Sequence, residues 1–181
     1  LRYLLDQGDH LVAEAMGLSS TGRDCLLCYR QLVQALIDAA VHPQNAQAIY
    51  GLALVLERGI LYQPPVAPGL WRQLGLVLSD WSQQRLTLAL GDLVPPQAQL
   101  IGGVLCRLGQ PLGVGQGNNP TCQSAIGLSM WASNEADYLL QVLAWAARDN
   151  EVLSRFEGQE VSSRDLEPCL VKGTPVDVDP V

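Results

Sequence analysis

The stretch DCLLCYRQLVQALIDAAV, Asp24 to Val41, decides the fold class, because its apolar residues recur at steps of three and four. Such spacing places them along one face of an α-helix. Asp24 is a suitable N-cap, and His42-Pro43 is predicted to end the helix, since a residue before proline avoids the α region. The face predicted to enter the core consists of Leu26, Leu27, Tyr29, Val33, Leu36, Ile37 and Ala40.

Helical patterns, separated by glycine and proline, continue through most of the chain on both sides of this stretch. Further helices are predicted over residues 1–16, 44–58, 70–78, 79–90, 97–108, 121–132 and 134–150. The periodicity decays after residue 156. The sequence therefore predicts a mainly all-α domain of about seven to eight helices over residues 1–156, followed by an irregular, extended tail or linker over 157–181.

Composition excludes several classes of function. The 181 residues are 48% hydrophobic and 16% charged, as expected of a globular chain with a full core. The net charge is -7 and the basic residues form no cluster, so nucleic acid is not an expected partner. No apolar run is long enough for a membrane span. Five cysteines, an odd number, favour reduced thiols in the cytoplasm, and neither a cofactor nor a metal ion is expected.

The segment QGNNPTCQSA, which begins at Gln116, carries the clearest chemical signal. Asn119 is a good N-cap and Pro120 suits the first helical position, which places Cys122 in the first turn of a helix. The positive end of the helix dipole stabilises a thiolate there, and the thiolate is the nucleophilic form of cysteine. The Gly-rich loop before it would let a substrate backbone approach closely. The loop residues predicted to bind substrate are Gly115, Gly117, Asn118 and Asn119.

This arrangement resembles the cysteine box of papain-like thiol enzymes, in which a nucleophilic Cys opens a central helix. In that family a Gln upstream of the nucleophile contributes to the oxyanion hole, and Gln116 lies six residues before Cys122. Gly117-Asn118, with Thr121-Cys122 further on, is similar to the Gly-Asn-Thr-Cys box of ubiquitin-specific proteases, with two residues inserted. The resemblance covers about twenty residues, 113–132. It implies a thiol hydrolase or acyl-transfer enzyme (peptidase, deamidase or deubiquitinase-like) acting on a peptide or protein, and an alternative fold, the helical lobe of a papain-like α+β fold.

The chain departs from this family in two respects. Gln123 stands where papain-like peptidases usually have an aromatic residue, and no His follows Cys122, although the family's base His does so. The resemblance then implies His42 or His10 as the base in a permuted order, with Asp137 as an orienting acid, or a His on a part of the protein outside this chain.

Two functions of other classes fit the same sequence. One is a non-catalytic helical domain that binds or scaffolds a partner protein, with Trp71 and Trp81 near Pro-rich loops as part of the binding surface. The other is a small-ligand pocket between helices. Cys25 and Cys28 are interpreted as two core-facing residues rather than as a metal or redox pair, because no second close Cys or His pair and no βαβ pattern accompany them.

Overall fold

The computed structural model describes residues 1–114 and 122–165, and most of these residues are helical. The mainly all-α prediction is confirmed. In chain order the described helices are α1 (Arg2–Gln7), α2 (Asp9–Ala15), α3 (Ser20–Cys28), α4 (Arg30–Ala40), α5 (Gln47–Glu57), α6 (Val66–Leu74), α7 (Asp80–Leu90), α8 (Pro96–Gly109), α9 (Cys122–Asn134) and α10 (Ala136–Asp149). Short 3₁₀ turns span Ile60–Tyr62, Pro111–Gly113 and Ser163–Asp165, and β1 (Leu153–Phe156) pairs with β2 (Gln159–Ser162). Within the described ranges, no helix is both long and apolar enough to cross a membrane.

The centre of the fold is the contact between α5 and α8, which glycine makes unusually close. A Cβ built on Gly51 would lie 2.6 Å from the backbone nitrogen of Cys106, and one on Gly109 would lie 2.6 Å from the carbonyl oxygen of Gly51. A Cβ built on Gly102 would contact the side chains of Asn45 and Ala48. The two backbones therefore touch directly, and a larger residue at these positions would force the helices apart.

The apolar face of α4 enters the core beside this pair. Its residues Val33, Leu36, Ile37 and Ala40 are all buried, as the spacing predicts. They pack with buried side chains from α5, α6 and α8 and from the amino-terminal helices. Helix packing of this kind accounts for most helical stability in proteins, because single helices of 11 residues are marginal in water.

The predicted helix over residues 24–41 is in fact two helices. Tyr29, with φ -113° and ψ 26°, separates α3 from α4. The helix also begins earlier than predicted: Ser19 is the N-cap, and its side chain accepts the backbone N–H of Gly22, so Asp24 is not the cap. Because the break shifts the two helical faces relative to each other, Leu27 is 57% exposed and its predicted core position is wrong.

A second difference concerns the proline-rich segment 60–69, which lies between the helices predicted over residues 44–58 and 70–78. Helix α6 already begins there, at Val66, directly after Pro65. Pro68 falls in its first turn, where the backbone N–H has no partner within the helix. Proline is therefore compatible with the start of this helix, and the predicted connection is shorter than expected.

The part of the chain after α10 forms a small antiparallel hairpin. Phe156 pairs with Gln159 across the turn, and Leu153 pairs with Ser162 at the open end. The two turn residues, Glu157 and Gly158, have positive φ angles of 50° and 83°, as in a type I′ turn. The predicted extended tail thus starts, over its described part, as the second strand of a hairpin. Residues 166–181 lie outside the described residues.

Candidate functional site

A cavity of about 690 Å³ opens between three parts of the fold. One wall is the segment that leads into α5, one is the end of α7 with the loop that follows, and the third is a face of α8. Its volume lies in the range of small-molecule sites in proteins. The lining residues are Gln44, Asn45, Gln47, Tyr50, Ala89, Leu90, Val94, Gln99, Gly102, Gly103, Cys106, Arg107 and Gln110.

Helix α8 contributes the longest wall, and its lining residues recur at helical spacing from Gln99 to Gln110. Near the middle of this wall are Gly102 and Gly103. Gly102 touches Asn45 and Ala48, whereas a Cβ built on Gly103 would meet no atom within 4 Å. Gly102 therefore brings the helices together, and Gly103 leaves the cavity wall without a side chain.

Asn45 holds the α5 side of the cavity against α8. Its Nδ2 donates one hydrogen bond to the carbonyl oxygen of Ala40, at 3.1 Å, and another to that of Ala98, at 3.3 Å. The first bond ties Asn45 to the end of α4, and the second joins it to the start of α8. Because both acceptors are backbone groups, the two bonds fix the Asn45 side chain relative to α4 and α8.

Gln99 is the most informative residue of the lining. Its side chain is 93% buried, at 7% relative exposure, and its Nε2 donates to the carbonyl oxygen of Gly91 at 2.8 Å. Because Gly91 offers an acceptor there, the donor end of the amide must face it. Its other end, Oε1, is buried and has no hydrogen-bond partner within the described ranges. An unpaired buried carbonyl costs about 1–3 kcal/mol, and because Oε1 has almost no accessible surface, it does not itself face the cavity.

A second glutamine shows that the unpaired oxygen alone is not sufficient to define a site. Gln73 is also buried, donates from Nε2 to the carbonyl oxygen of Leu140 at 2.6 Å, and has an Oε1 without a partner in the described part of the chain. It lies between α6 and α10 and does not line the cavity. Of these two glutamines, only Gln99 lines the cavity, and its unpaired oxygen is buried away from that space.

Arg107 and Cys106 are ionisable residues that α8 contributes to the described part of the cavity wall. Arg107 donates to the carbonyl oxygen of Gly113, and no carboxylate of the described residues forms an ion pair with it. The Cys106 thiol donates to the carbonyl oxygen of Gln47 at 3.4 Å. Burial raises the pKa of this thiol, although the neighbouring Arg107 charge acts in the opposite direction. Cys106 is consequently a neutral thiol at neutral pH, and Arg107 is the charged group of this wall.

The predicted nucleophile, Cys122, is the first residue of α9, and its side chain is exposed. Cys28 is also exposed, but it is the last residue of its helix, α3. The remaining described cysteines are less accessible: Cys106 is half-buried, and Cys25 is buried. The structure therefore offers a direct comparison between two exposed thiols, one at the start and one at the end of a helix.

The other residues of the predicted catalytic site are only partly described. Gln116, Gly115, Gly117, Asn118 and Asn119 lie outside the described residues.

The two histidines proposed as bases are both placed by the structure. His42 is half-buried in the turn after α4, and its carbonyl oxygen accepts the backbone N–H of Asn45 at 2.9 Å. His10 is exposed on α2, and Asp137 lies in the first turn of α10. No hydrogen bond joins the Cys122 thiol to either imidazole among residues 1–114 and 122–165.

The structure corrects the interpretation of Cys25 and Cys28 as two core-facing residues. Cys25 is fully buried, and its pKa is raised to about 11 by burial and by the nearby Cys28. Cys28 points outward and forms a hydrogen bond with Tyr62, which raises the pKa of that phenol to about 12. Both residues belong to α3, where Cys28 is the last residue and lies about 60° around the helix from Cys25, toward the exposed side. No group of three or more potential metal ligands occurs in the described ranges.

Sequence reasoning missed Gln99 and Arg107 as site residues. A polar side chain within the helical repeat of α8 looks like an ordinary surface position until the packing of α7 and α5 is known. The Gly102-Gly103 pair was the one available signal, since adjacent glycines inside a predicted helix suggest close packing. Trp71 and Trp81, predicted to contribute to a binding surface, are 47% and 57% exposed.

Scans of protein-family models, of curated proteins and of solved structures found no match to this chain.

Proposed function

We propose that the domain binds a small organic molecule in the cavity between α5, α7 and α8. The observation that carries this proposal is a cavity of about 690 Å³ whose described lining combines apolar side chains with several polar ones and one arginine. Ligand sites in proteins typically combine an apolar surface with a few fixed polar groups. Here Leu90, Val94 and the bare backbone at Gly103 supply apolar surface, and Asn45 and Arg107, each held by hydrogen bonds to backbone carbonyls, supply fixed polar groups.

Cys106 offers a test that does not depend on the chemical class of the ligand. A collection of small disulfides is equilibrated with the protein under mildly reducing conditions, and capture at each cysteine is measured by mass spectrometry. Exchange forms a bond between the Cys106 sulfur and one sulfur of the reagent and releases the other as a thiol. Fragments that fit the cavity should accumulate at Cys106 well above the level of a simple aliphatic disulfide.

Two glycine variants control this experiment. Gly103→Leu adds a side chain to the cavity wall at a position where a built Cβ meets no atom within 4 Å, and Gly127→Leu does so at an equally open position on α9. We expect selective capture to be lost in Gly103→Leu and retained in Gly127→Leu. Uniform capture of all fragments at Cys106, or equal capture in both variants, would contradict the proposal.

A second candidate function, thiol-dependent hydrolysis or acyl transfer, is favoured by the position of Cys122. An exposed thiol at the first residue of a 13-residue helix lies at the positive end of the helix dipole. In this proposal the Cys122 sulfur attacks the carbonyl carbon of a peptide or carboxamide substrate. Gln116 and the Cys122 backbone N–H stabilise the oxyanion, while His42 or a His outside this chain takes the thiol proton. The loop residues Gly115, Gly117, Asn118 and Asn119 would position the substrate.

The generic acyl donor p-nitrophenyl acetate tests this second candidate. Attack by the thiolate forms an acetyl–sulfur bond and releases p-nitrophenolate, so acetylation of each cysteine can be followed by mass spectrometry. We expect Cys122 to be acetylated at least tenfold faster than Cys28, a difference of about 1.4 kcal/mol in activation free energy. His42→Gln should slow the reaction at Cys122 alone if His42 is the base. Equal rates at the two exposed thiols would exclude Cys122 as an activated nucleophile.

A further inference from the structure

Three side chains form an exposed stripe along α7, named here the α7 stripe. They are Trp81, Arg85 and Leu88, and their spacing of four and three residues places them within about 60° of one another around the helix. Trp81 is 57% exposed and Leu88 is 77% exposed. The Arg85 guanidinium carbon lies 5.6 Å from the centre of the Trp81 ring, a cation–π contact between two members of the stripe.

The fold leaves the α7 stripe uncovered. Ser82 is the one buried residue of α7, all of whose residues the structure describes, and Leu86 and Ala89 are half-buried. These three residues share a side of the helix that lies about a quarter turn away from the stripe. Apolar side chains usually occupy the buried side of a helix, whereas Trp and Arg exposed together are typical of contact surfaces. The stripe therefore has the composition of a docking site.

Charge restricts what can cover the stripe. Among the described residues no carboxylate forms an ion pair with Arg85, although the whole chain has a net charge of -7. The N–H donors of a guanidinium bind carboxylates most strongly, often through two parallel hydrogen bonds. The occupant that fits the stripe is thus a segment that combines apolar side chains with carboxylates.

The described chain ends beside the start of this stripe. Arg164 donates from Nη2 to the carbonyl oxygen of Asp149, at 2.7 Å. The next residue, Asn150, accepts the hydroxyl of Ser79, the N-cap of α7, at 2.6 Å. The last 3₁₀ turn of the described chain and the amino end of α7 are therefore both held by the end of α10, and Trp81 is the second residue of α7.

The 16 residues that follow, 166–181, have the composition that the stripe requires. They contain three carboxylate side chains against one lysine, and valine is their commonest residue. Within them, residues 176–179 alternate valine with aspartate, as VDVD. Fully extended, a segment of this length spans about 55 Å, whereas α7, with 11 residues, is about 16 Å long. Residues 166–181 are therefore long enough to reach every position of the stripe from the start of α7.

We propose that residues 166–181 dock on the α7 stripe of their own chain. The valines of the VDVD sequence pack against Trp81 and Leu88, and an aspartate of the same sequence binds the Arg85 guanidinium. Burial of the indole and of the leucine side chain provides the free energy of the contact. The ion pair fixes its orientation and makes it dependent on salt, because the pair lies at the surface.

Photochemical cross-linking in the full chain tests this contact. Leu88 is replaced by p-benzoylphenylalanine, which inserts into nearby C–H bonds when irradiated, and the cross-linked peptides are identified by mass spectrometry. The matched control carries the same photoreactive residue in place of Leu27, which is 57% exposed on α3. We expect cross-links within one molecule between position 88 and residues 166–181, with a yield about fivefold or more above that from position 27.

Reversal of charge distinguishes recognition from a general loosening of the fold. Arg85→Glu should lower the yield of cross-links from position 88 to residues 166–181 about three- to fivefold, since the attraction of a surface ion pair becomes a repulsion. Asp177→Lys combined with Asp179→Lys should lower the yield by a similar factor. All three substitutions together should restore it, which a loosened variant could not do.

Four results would overturn the proposal. Cross-links to residues 166–181 could be absent at position 88, or they could form equally well from positions 27 and 88. Cross-links from position 88 that join two molecules would make a second copy of this chain the occupant of the stripe. Yields that do not respond to charge reversal would refute the pairing of Arg85 with an aspartate.

Discussion

The carboxylate of Glu57 lies against the amino end of α3, where Oε1 accepts the backbone N–H of Ser19 and Oε2 accepts its hydroxyl, each at 2.6 Å. A helix start leaves backbone N–H groups unpaired and carries a partial positive charge, so a carboxylate is stabilising there. The two residues are 38 positions apart, and the contact joins the end of α5 to the start of α3. Gly22 makes room for it, because a built Cβ would lie 2.3 Å from Oε1.

Replacing this carboxylate should lower the free energy of unfolding in a graded way. Glu57→Gln keeps the shape but replaces one acceptor with a donor, and Glu57→Ala removes both acceptors. We expect losses of about 1 kcal/mol for the first and about 2 kcal/mol for the second, the range for charge-assisted hydrogen bonds. Chemical denaturation measures both. The exposed Glu14 provides the control: Glu14→Ala should change stability by less than about 0.5 kcal/mol, and a similar loss there would contradict the capping role of Glu57.

The adjacent glycines of α8 should respond to alanine in opposite directions. A Cβ on Gly102 would lie 2.5 Å from Nδ2 of Asn45, which holds two backbone carbonyls, so Gly102→Ala should destabilise the fold by about 1–3 kcal/mol. Gly103 faces open space, and Gly103→Ala should stabilise it by about 0.5–1 kcal/mol through the better helix propensity of alanine. Thermal and chemical denaturation of the two variants decide the matter; effects of the same sign would refute the packing described for Gly102.

Asn150 joins two helices through its side chain and its backbone. It ends α10 in the left-handed region, with φ 54° and ψ 30°, and its Oδ1 accepts hydrogen bonds from the hydroxyls of Ser79 and Ser82 at the start of α7. Asn150→Gly keeps the backbone conformation but loses the acceptor, whereas Asn150→Ala loses both. Alanine should therefore cost about 1 kcal/mol more than glycine. Asn150→Asp keeps an acceptor and should lower the free energy of unfolding by less than either of the other two substitutions. Equal losses of stability in all three variants would show that the Asn150 amide does not contribute to stability.

Stability should fall in alkaline solution because Cys25 resists ionisation in the folded state. Its pKa is raised from 9.0 to about 11, chiefly by burial. Below pH 9 the thiol is protonated whether the chain is folded or unfolded, so it adds no pH dependence. Between pH 9 and 11 the unfolded chain releases this proton first, and the free energy of unfolding falls, by up to about 2 kcal/mol.

Denaturation across this pH range tests the role of Cys25. In Cys25→Ala the fall between pH 9 and 11 should be smaller than in the wild type, whatever the difference in stability at pH 7. Tyr62, whose pKa is raised from 10.0 to about 12, lowers stability only above pH 10, so Tyr62→Phe serves as the control that should keep the fall between pH 9 and 10. An unchanged slope in Cys25→Ala would assign the effect to other groups.

Individual elements show how far the sequence predicts this structure. The helix predicted over residues 79–90 is α7, and Ser79 at the start of that range is its N-cap, with its hydroxyl accepting the N–H of Ser82 at 3.1 Å. Such caps are local, so residue type and spacing suffice to find them. The break at Tyr29 and the exposure of Leu27 could not be found in that way, because the apolar period continues through them and only the packing of α3 and α4 separates the two faces.

The sequence by itself determines the helical class, most helix ends and the place of Cys122 at the start of a helix. These features depend on the spacing of apolar residues and on capping residues within a few positions. The cavity, the unpaired oxygen of Gln99 and the contact of Glu57 with Ser19 were decided by the tertiary structure. Each of these arises where chain segments distant in sequence meet, and residue spacing along one helix contains no information about which neighbour will supply, or fail to supply, a hydrogen-bond partner.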